Sequence, residues 1–409
     1  MFLKRFAVYS IDMRIAINAL SAVAGGGVTY LNQLFRHLSE IDKGNEYLII
    51  TTKKGKKVLY ANYKNFYVLS FKIPSLSIVT RLLWEHLYLW YILKVYKADV
   101  LYSPANIGLI FQSFPTIVMI QTVAPFDYEM IKKQNIYYRL KFNLLRILTS
   151  LSIKKARNVI FISDKARKEL SHYYKLQKDN TSLIYHGRSE IFKPDLDGRR
   201  LVEIKQKYGL DEFILYVSNI YKYKNFSELI HAFSLIKEQV NAGLKLALVG
   251  KSFDDQYTES LKTFVTNEGM EGRIIFYGHI PYEELPYFYV LCKLFVYPST
   301  CENCPNILIE AMACGATVLA SNVEPMPEIC QDAAIYFNPF DPQDIAEKIQ
   351  TVLKNNNLIQ DLRLRSLKRA NYFSWEKTAK KTLHVLEKNA RYSAFQKQRG
   401  LNNNCYDKK

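Results

Sequence analysis

No stretch of about 18 consecutive apolar residues occurs anywhere in the chain. Its greasiest segment, residues 82–93, carries Glu85 and His86, which excludes a helix that crosses a bilayer. The opening MFLKRFAVYSID has two positive charges but too few residues before Asp12 for a signal-peptide core. Cysteine is scarce: Cys292, Cys301, Cys304, Cys314, Cys330 and Cys405 are the only six. Six are too few to staple a secreted framework, so a reducing, cytoplasmic compartment is expected. Cys301 and Cys304 have C-x-x-C spacing, yet a zinc site needs a second ligand pair and only Cys314 stands near, so no metal is expected there. With 49% apolar, 14% aromatic and 23% charged residues, the composition is that of a folded protein. At 409 residues the chain exceeds the size at which one core stops growing, so two domains are expected.

Acidic residues are short in one half only. Residues 1–190 hold 28 Lys and Arg against 12 Asp and Glu, whereas residues 191–409 hold 28 against 26. An anionic partner for the first half follows: phospholipid headgroups, a phosphorylated acceptor or nucleic acid, with solubility alone as the plainer reading. No nucleic-acid motif accompanies the charge, so nucleic acid is not expected.

Residues 14–18 alternate like a strand, and Gly25, Gly26 and Gly27 then break the pattern. Val28, Leu31, Leu34, Phe35, Leu38 and Ile41 follow at helical spacing. Strand, glycine turn and amphipathic helix open a doubly wound α/β domain whose helix N-terminus favours a phosphate. Further strands are expected at 47–51, 100–102, 116–120, 159–162 and 182–185. The polar run 194–200 reads as a linker. A second series follows, with strands at 213–217, 244–249, 274–277, 294–297, 317–320 and 334–337 and a helix over 226–239. Two parallel sheets in tandem predict an α/β chain with a ligand cleft between the carboxyl ends of their strands. Residues 81–91 are aromatic and amphipathic and include Trp84, and residues 139–148 form a basic apolar helix. Core packing and acceptor or lipid contact are both open to them.

The sharpest feature is the run from Pro298 to Gly315, with Glu302 and Glu310. Pro305 fits the first turn of a helix and Gly315 its stop, which puts Glu302 in the preceding loop and Glu310 inside the helix. Two carboxylates so placed, with helix N–H groups between them, suit a ligand carrying a sugar and a diphosphate.

This run resembles the E-x7-E signature of the retaining, group 1 (family 4) type glycosyltransferases with the GT-B fold, whose usual form is E-G-F-G-L-P-x-x-E-A-M-A-x-G. Glu302, Glu310 and Ala311–Gly315 match in register, and the likeness extends from about Met13 to Glu387. It implies two Rossmann-like domains facing across a cleft: an extension at 1–12, an acceptor-side domain at 13–193, a nucleotide-sugar domain at 201–370, a crossover helix at 371–390 returning to the first domain, and a polar tail at 391–409. It implies that Glu302 contacts the transferred sugar, Glu310 holds the ribose hydroxyls and Lys224 binds the departing phosphate. Glu302 and Lys224 are the catalytic candidates. Gly26, Gly27, Asn219, Asn303, Cys304 and Asn306 join Lys224 and Glu310 as donor contacts, and Gln121 and Trp84 are acceptor or sugar contacts.

No cofactor beyond the nucleoside diphosphate sugar, and no metal, is implied, since a fixed ammonium and helix N–H groups can steady the leaving diphosphate. The acceptor is a carbohydrate or lipid-linked saccharide, in bacterial surface polysaccharide assembly at the inner face of the cytoplasmic membrane. The chain departs from the pattern at Asn219, where the family has arginine, at Asn303–Cys304–Pro305 in place of Gly-Phe-Gly, and at Gln121, where many relatives have His-Asp. Glutamine is no general base at neutral pH. These departures leave open a catalytically silent, sugar-nucleotide-binding subunit with the same fold.

Overall fold

A computed structural model describes residues 12–72, 85–110, 114–132 and 136–406. Trp84 and residues 1–11 of the expected 1–12 extension lie outside the described residues. The chain divides into two compact units, one formed by residues up to Tyr185 together with those from Trp375 onward, the other by His186–Ser374.

Among the described residues the first unit holds seven strands: β1 Arg14–Asn18, β2 Glu46–Thr52, β3 Phe66–Phe71, β4 Val100–Ser103, β5 Thr116–Ile120, β6 Asn158–Phe161 and β7 Thr181–Leu183. They pair in parallel in the order β3-β2-β1-β4-β5-β6-β7. One of them, β3, was not expected from the sequence. It is an edge strand whose residues after Phe66 are only half-buried, so it lacks the apolar run that betrays a central strand. The Gly26–Ile41 helix buries Tyr30, Leu31, Leu34, Phe35 and Leu38, one face at three- and four-residue spacing.

The second unit holds β8 Phe213–Val217, β9 Lys245–Val249, β10 Ile274–Gly278, β11 Leu294–Tyr297, β12 Val318–Ser321 and β13 Ala334–Phe337. Their order is β10-β9-β8-β11-β12-β13, again all parallel. All five residues of β8 and all four of β11 are buried, as parallel strands covered on both faces must be. The 226–239 helix is shorter than expected, ending at Leu235, with Phe226, Leu229, Ile230 and Phe233 inward. The strand order reverses direction between β8 and β11, and ligands of open α/β sheets bind outside the carboxyl ends of strands at such a switch point.

Two further expectations need correcting. The polar run 194–200 lies inside the second unit, where the Asp197 side chain accepts from the Arg199 N–H and starts the Gly198–Tyr208 helix. Its polarity reflects a helix cap rather than a linker. At the other end, the crossover helix expected at 371–390 begins at Trp375 and runs on to Tyr406, so the polar stretch from 391 continues it. That helix belongs to the first unit, where Trp375 lies 5.8 Å, ring to ring, from Tyr30 and Thr378 Oγ1 donates to the Tyr185 carbonyl at 2.7 Å.

Candidate active site

Both strands at the switch point of the second sheet deliver a predicted residue. Beyond β8 the chain passes through Ser218 and Asn219 into a single 3₁₀ turn, Lys222–Lys224. The buried Tyr216 hydroxyl donates to the Lys224 carbonyl at 2.7 Å and pins that turn. Beyond β11 a coil carries Ser299, Glu302 and Asn303 to the Asn306–Ala313 helix. Pro305 stands just before this helix rather than in its first turn.

The two loops are laced together. Asn225, in the left-handed region at φ 52°, donates from Nδ2 to the carbonyls of Pro298 at 3.1 Å and Pro339 at 3.2 Å. The Thr300 N–H and hydroxyl both donate to the Tyr223 carbonyl. At the junction, Lys224 Nζ forms an ion pair with Glu302 Oε1. The same oxygen accepts from the Tyr297 hydroxyl at 2.5 Å and the Ser299 hydroxyl at 2.7 Å. Lys224 and Glu302 are only 10% and 14% exposed in their side chains, so this is a charge-assisted cluster largely withdrawn from water.

Glu310 is buried in the 306–313 helix and accepts a 2.9 Å hydrogen bond from the Tyr282 hydroxyl. Burial pushes its carboxyl up to about 8, against a smaller lowering by the Tyr282 bond. Burial thus favours the neutral form of this carboxyl. At the start of the helix His186 Nδ1 meets Asn306 Oδ1 at 3.2 Å, and burial lowers the imidazole to about 4. Asn303 is buried, and burial pushes the Cys304 thiol up to about 12. That is the character of an inert thiol rather than a reactive one.

Asn219, standing where the family has arginine, is exposed, and its Oδ1 accepts from the Lys251 N–H at 3.4 Å. The neighbouring Gly250 has φ 147°, and a Cβ there would lie 1.9 Å from the Ser218 carbonyl oxygen. Only glycine lets the ends of β8 and β9 approach so closely.

In the first unit, Gly25 caps the Gly26–Ile41 helix at φ 67°, so Gly26 and Gly27 form the helix's first turn, in open space. Gln121 follows β5 and is half-buried; its N–H and that of Thr122 both donate to Asn106 Oδ1, at 2.8 and 3.1 Å. Among the described residues no group of three or more His, Cys, Asp or Glu side chains could hold a metal. The sequence does spell Asp-x-Asp once, at Asp195-Leu196-Asp197, where Asp197 serves as the helix cap described above. Tyr282, Tyr297, Ser299, Asn225 and Asn106 escaped the sequence reading. Tyr282, Asn225 and Asn106 act through contacts made only once distant segments are adjacent, Tyr297 and Ser299 through the local turn of the loop back onto Glu302, and none belongs to a recognisable spacing.

Residues 24–189 match the family model described as Glycosyltransferase Family 4, and residues 199–369 match Glycosyl transferases group 1. With both sheets in Rossmann-like order, the chain belongs among the glycosyltransferases of the GT-B fold. Among individual proteins it is 32% identical over 228 residues to the serotype-specific mannosyltransferase WbdA of Escherichia coli, covering 55% of this chain and 28% of WbdA. It is 29% identical over 237 residues to the O-antigen chain mannosyltransferase B of Escherichia coli, covering 57% of this chain and 61% of that protein. The matches thus span less than two thirds of either relative. The crystal structure of Anabaena HepE in complex with UDP and glucose shares the fold, with a TM-score of 0.71 at 18% identity over 92% of this chain and 100% of that one.

Proposed function

We propose that this chain is a retaining glycosyltransferase that moves a sugar from a nucleoside diphosphate sugar to a carbohydrate or lipid-linked acceptor in bacterial surface polysaccharide assembly. The observation that carries the reading is the Lys224–Glu302 pair at the switch point of the second sheet. The names of the relatives, mannosyltransferases of serotype and O-antigen chains, and the UDP and glucose held by HepE support it.

In this reading the donor diphosphate competes with Glu302 for Lys224. The ammonium turns to the phosphate, where charge grows as the glycosidic bond breaks, and so stabilises the transition state more than the ground state. Glu302, released from its cation, accepts hydrogen bonds from the sugar hydroxyls, with Tyr297 and Ser299 holding the carboxylate in place. The N–H groups at the start of the 306–313 helix supply further donors to the diphosphate. Glu310 takes the ribose hydroxyls, which satisfy a buried carboxyl otherwise bonded to Tyr282. Gln121 serves as a hydrogen-bonding contact to sugar or acceptor, and no metal takes part. The protein works in the cytoplasm, at the inner face of the membrane; no helix among the described residues is long and apolar enough to cross one.

The test incubates purified protein with GDP-mannose and a panel of UDP-sugars, with a saccharide acceptor extract and a chelator, and follows diphosphate release and product. Transfer is expected with at least one donor, to be lost in Glu302→Ala and Lys224→Ala, with the product keeping the donor's anomeric configuration by NMR. An inverted product removes the retaining assignment, and dependence on added divalent cation removes the metal-free one. Nucleotide binding without release from any donor favours the silent subunit, the reading to which exposed Asn219 in the arginine position lends weight.

A further inference from the structure

The Ile136–Lys155 helix contains twenty residues and not one Asp or Glu. Its inward face is set by Thr149, Ser152 and Ile153, the buried positions. Ser152 Oγ also accepts from the Gly108 N–H at 3.1 Å, which fixes that face to the body of the unit. The opposite face is apolar and in water: Ile136 is 69% exposed, Leu140 64%, Ile147 55% and Leu151 38%. At 100° per residue these four, with half-buried Leu144 between them, fall within one narrow sector of the helix, running about 22 Å along its axis. Arg139 and Arg146 flank the sector on one side, Lys141 and Lys155 on the other, and Lys154 lies at its end.

An apolar stripe of this length on a folded surface marks an interaction site. Its basic borders say what kind. A protein groove would be met by a mixed border, whereas a stripe edged on both sides by cations of its own helix, which carries no anion, suits a plane that is apolar within and negatively charged at its surface. The charge of the whole half agrees, with 28 basic against 12 acidic residues up to position 190.

We infer that the 136–155 helix is a membrane-docking surface that lies along an anionic phospholipid leaflet, its leucines and isoleucines in the headgroup–acyl boundary and its arginines and lysines among the phosphates. A neighbouring segment adds to it. Leu87, Tyr88 and Tyr91 are exposed beside Lys94, and the His86 ring accepts from the Ile110 N–H, on the same short stretch whose Gly108 is held by Ser152. This assignment deepens the proposed placement at the membrane face and rests on it, and its vesicle test succeeds or fails independently of sugar transfer.

The full chain is mixed with phosphatidylcholine vesicles containing about one third phosphatidylglycerol, and separately with pure phosphatidylcholine, and pelleted at low and high salt. Pelleting with the anionic vesicles at low salt and release at high salt are expected. Replacing Leu140, Ile147 and Leu151 together by Gln is expected to lower the partition about tenfold or more while leaving the melting temperature in place. Arg139→Glu with Arg146→Glu gives a second variant with the same expected loss, so the answer does not hang on the folding of the first. Indifference of the wild-type chain to vesicle charge, or a folded variant that pellets like wild type, overturns the assignment. So does a solution dimer that the triple substitution dissociates while vesicles are ignored, because the stripe is then covered by a second copy.

Discussion

Lys224 and Glu302, 78 positions apart in the chain, meet as an ion pair at the carboxyl ends of the two strands that flank the switch point of the second sheet. Three donors converge on a single Glu302 oxygen. Removing one member leaves the other charge mostly shielded from water without its counter-ion. Lys224→Met and Glu302→Gln are each expected to cost about 2 kcal/mol in chemical denaturation, with the double variant losing clearly less than the two losses added. Simple additivity would mean that the pair carries no coupling.

The same pair makes the two substitutions differ in nucleotide binding. Glu302→Gln leaves Lys224 without a competing carboxylate, so it is expected to bind a bare nucleoside diphosphate more tightly than wild type while losing transfer. Lys224→Met is expected to weaken that binding about tenfold, since a charge-assisted contact to phosphate is worth on the order of 1.5–3 kcal/mol. Thermal-shift titration with UDP and GDP reads both. Weaker binding in Glu302→Gln would remove the exchange of partners at Lys224.

Glu310 gives the fold a dependence on pH whose sign can be worked out. Burial pushes its carboxyl up to about 8 in the fold from an ordinary 4.5. The folded state therefore holds a proton that the unfolded chain has lost between those values, and stability falls as pH rises through that window. His186 acts in the opposite sense: lowered to about 4 from 6.5, it loses stability as pH falls through its own window. Glu310→Gln keeps an acceptor for Tyr282 and removes only the ionisation. Its melting temperature is expected to gain on wild type between about pH 5 and about pH 9, by an amount of the order of a few kcal/mol in stability. An offset that stays constant with pH would mean that Glu310 ionises freely in the fold.

Gly250→Ala places a methyl against the Ser218 carbonyl and asks an L-residue to adopt φ 147°. A loss of about 3 kcal/mol or more is expected, seen as a lower midpoint in urea. A near-neutral result would mean that the β8 and β9 ends can part, and with them the two loops that carry Asn219 and Lys251.

Much of this arrangement is legible in sequence because apolar runs announce buried parallel strands: β8 reads Phe-Ile-Leu-Tyr-Val and is wholly buried. The edge strand β3 is not legible, since half-burial gives neither a run nor a clean alternation. The two glutamates and Lys224 stand out through their spacing within a familiar motif. Tyr282 and Tyr297 do not, because a tyrosine hydroxyl becomes a site component only when the fold has aimed it at a carboxylate. The unit boundary was misplaced for a related reason. The chain passes from one unit to the other at Tyr185–His186, amid Leu183, Ile184 and the buried His186, where composition gives no sign of it, whereas a helix cap a dozen residues later imitates a linker.

The helix that starts at Trp375 packs against Tyr30 and hydrogen-bonds to Tyr185 in the first unit, although residues 186–374 of the second unit separate it from the rest of that body. A ribosome consequently releases everything needed for the second Rossmann-like body before it delivers the last piece of the first. Of these two units the one whose synthesis starts first is completed second, and its surface around Tyr30 waits for the Trp375 helix throughout the synthesis of its neighbour.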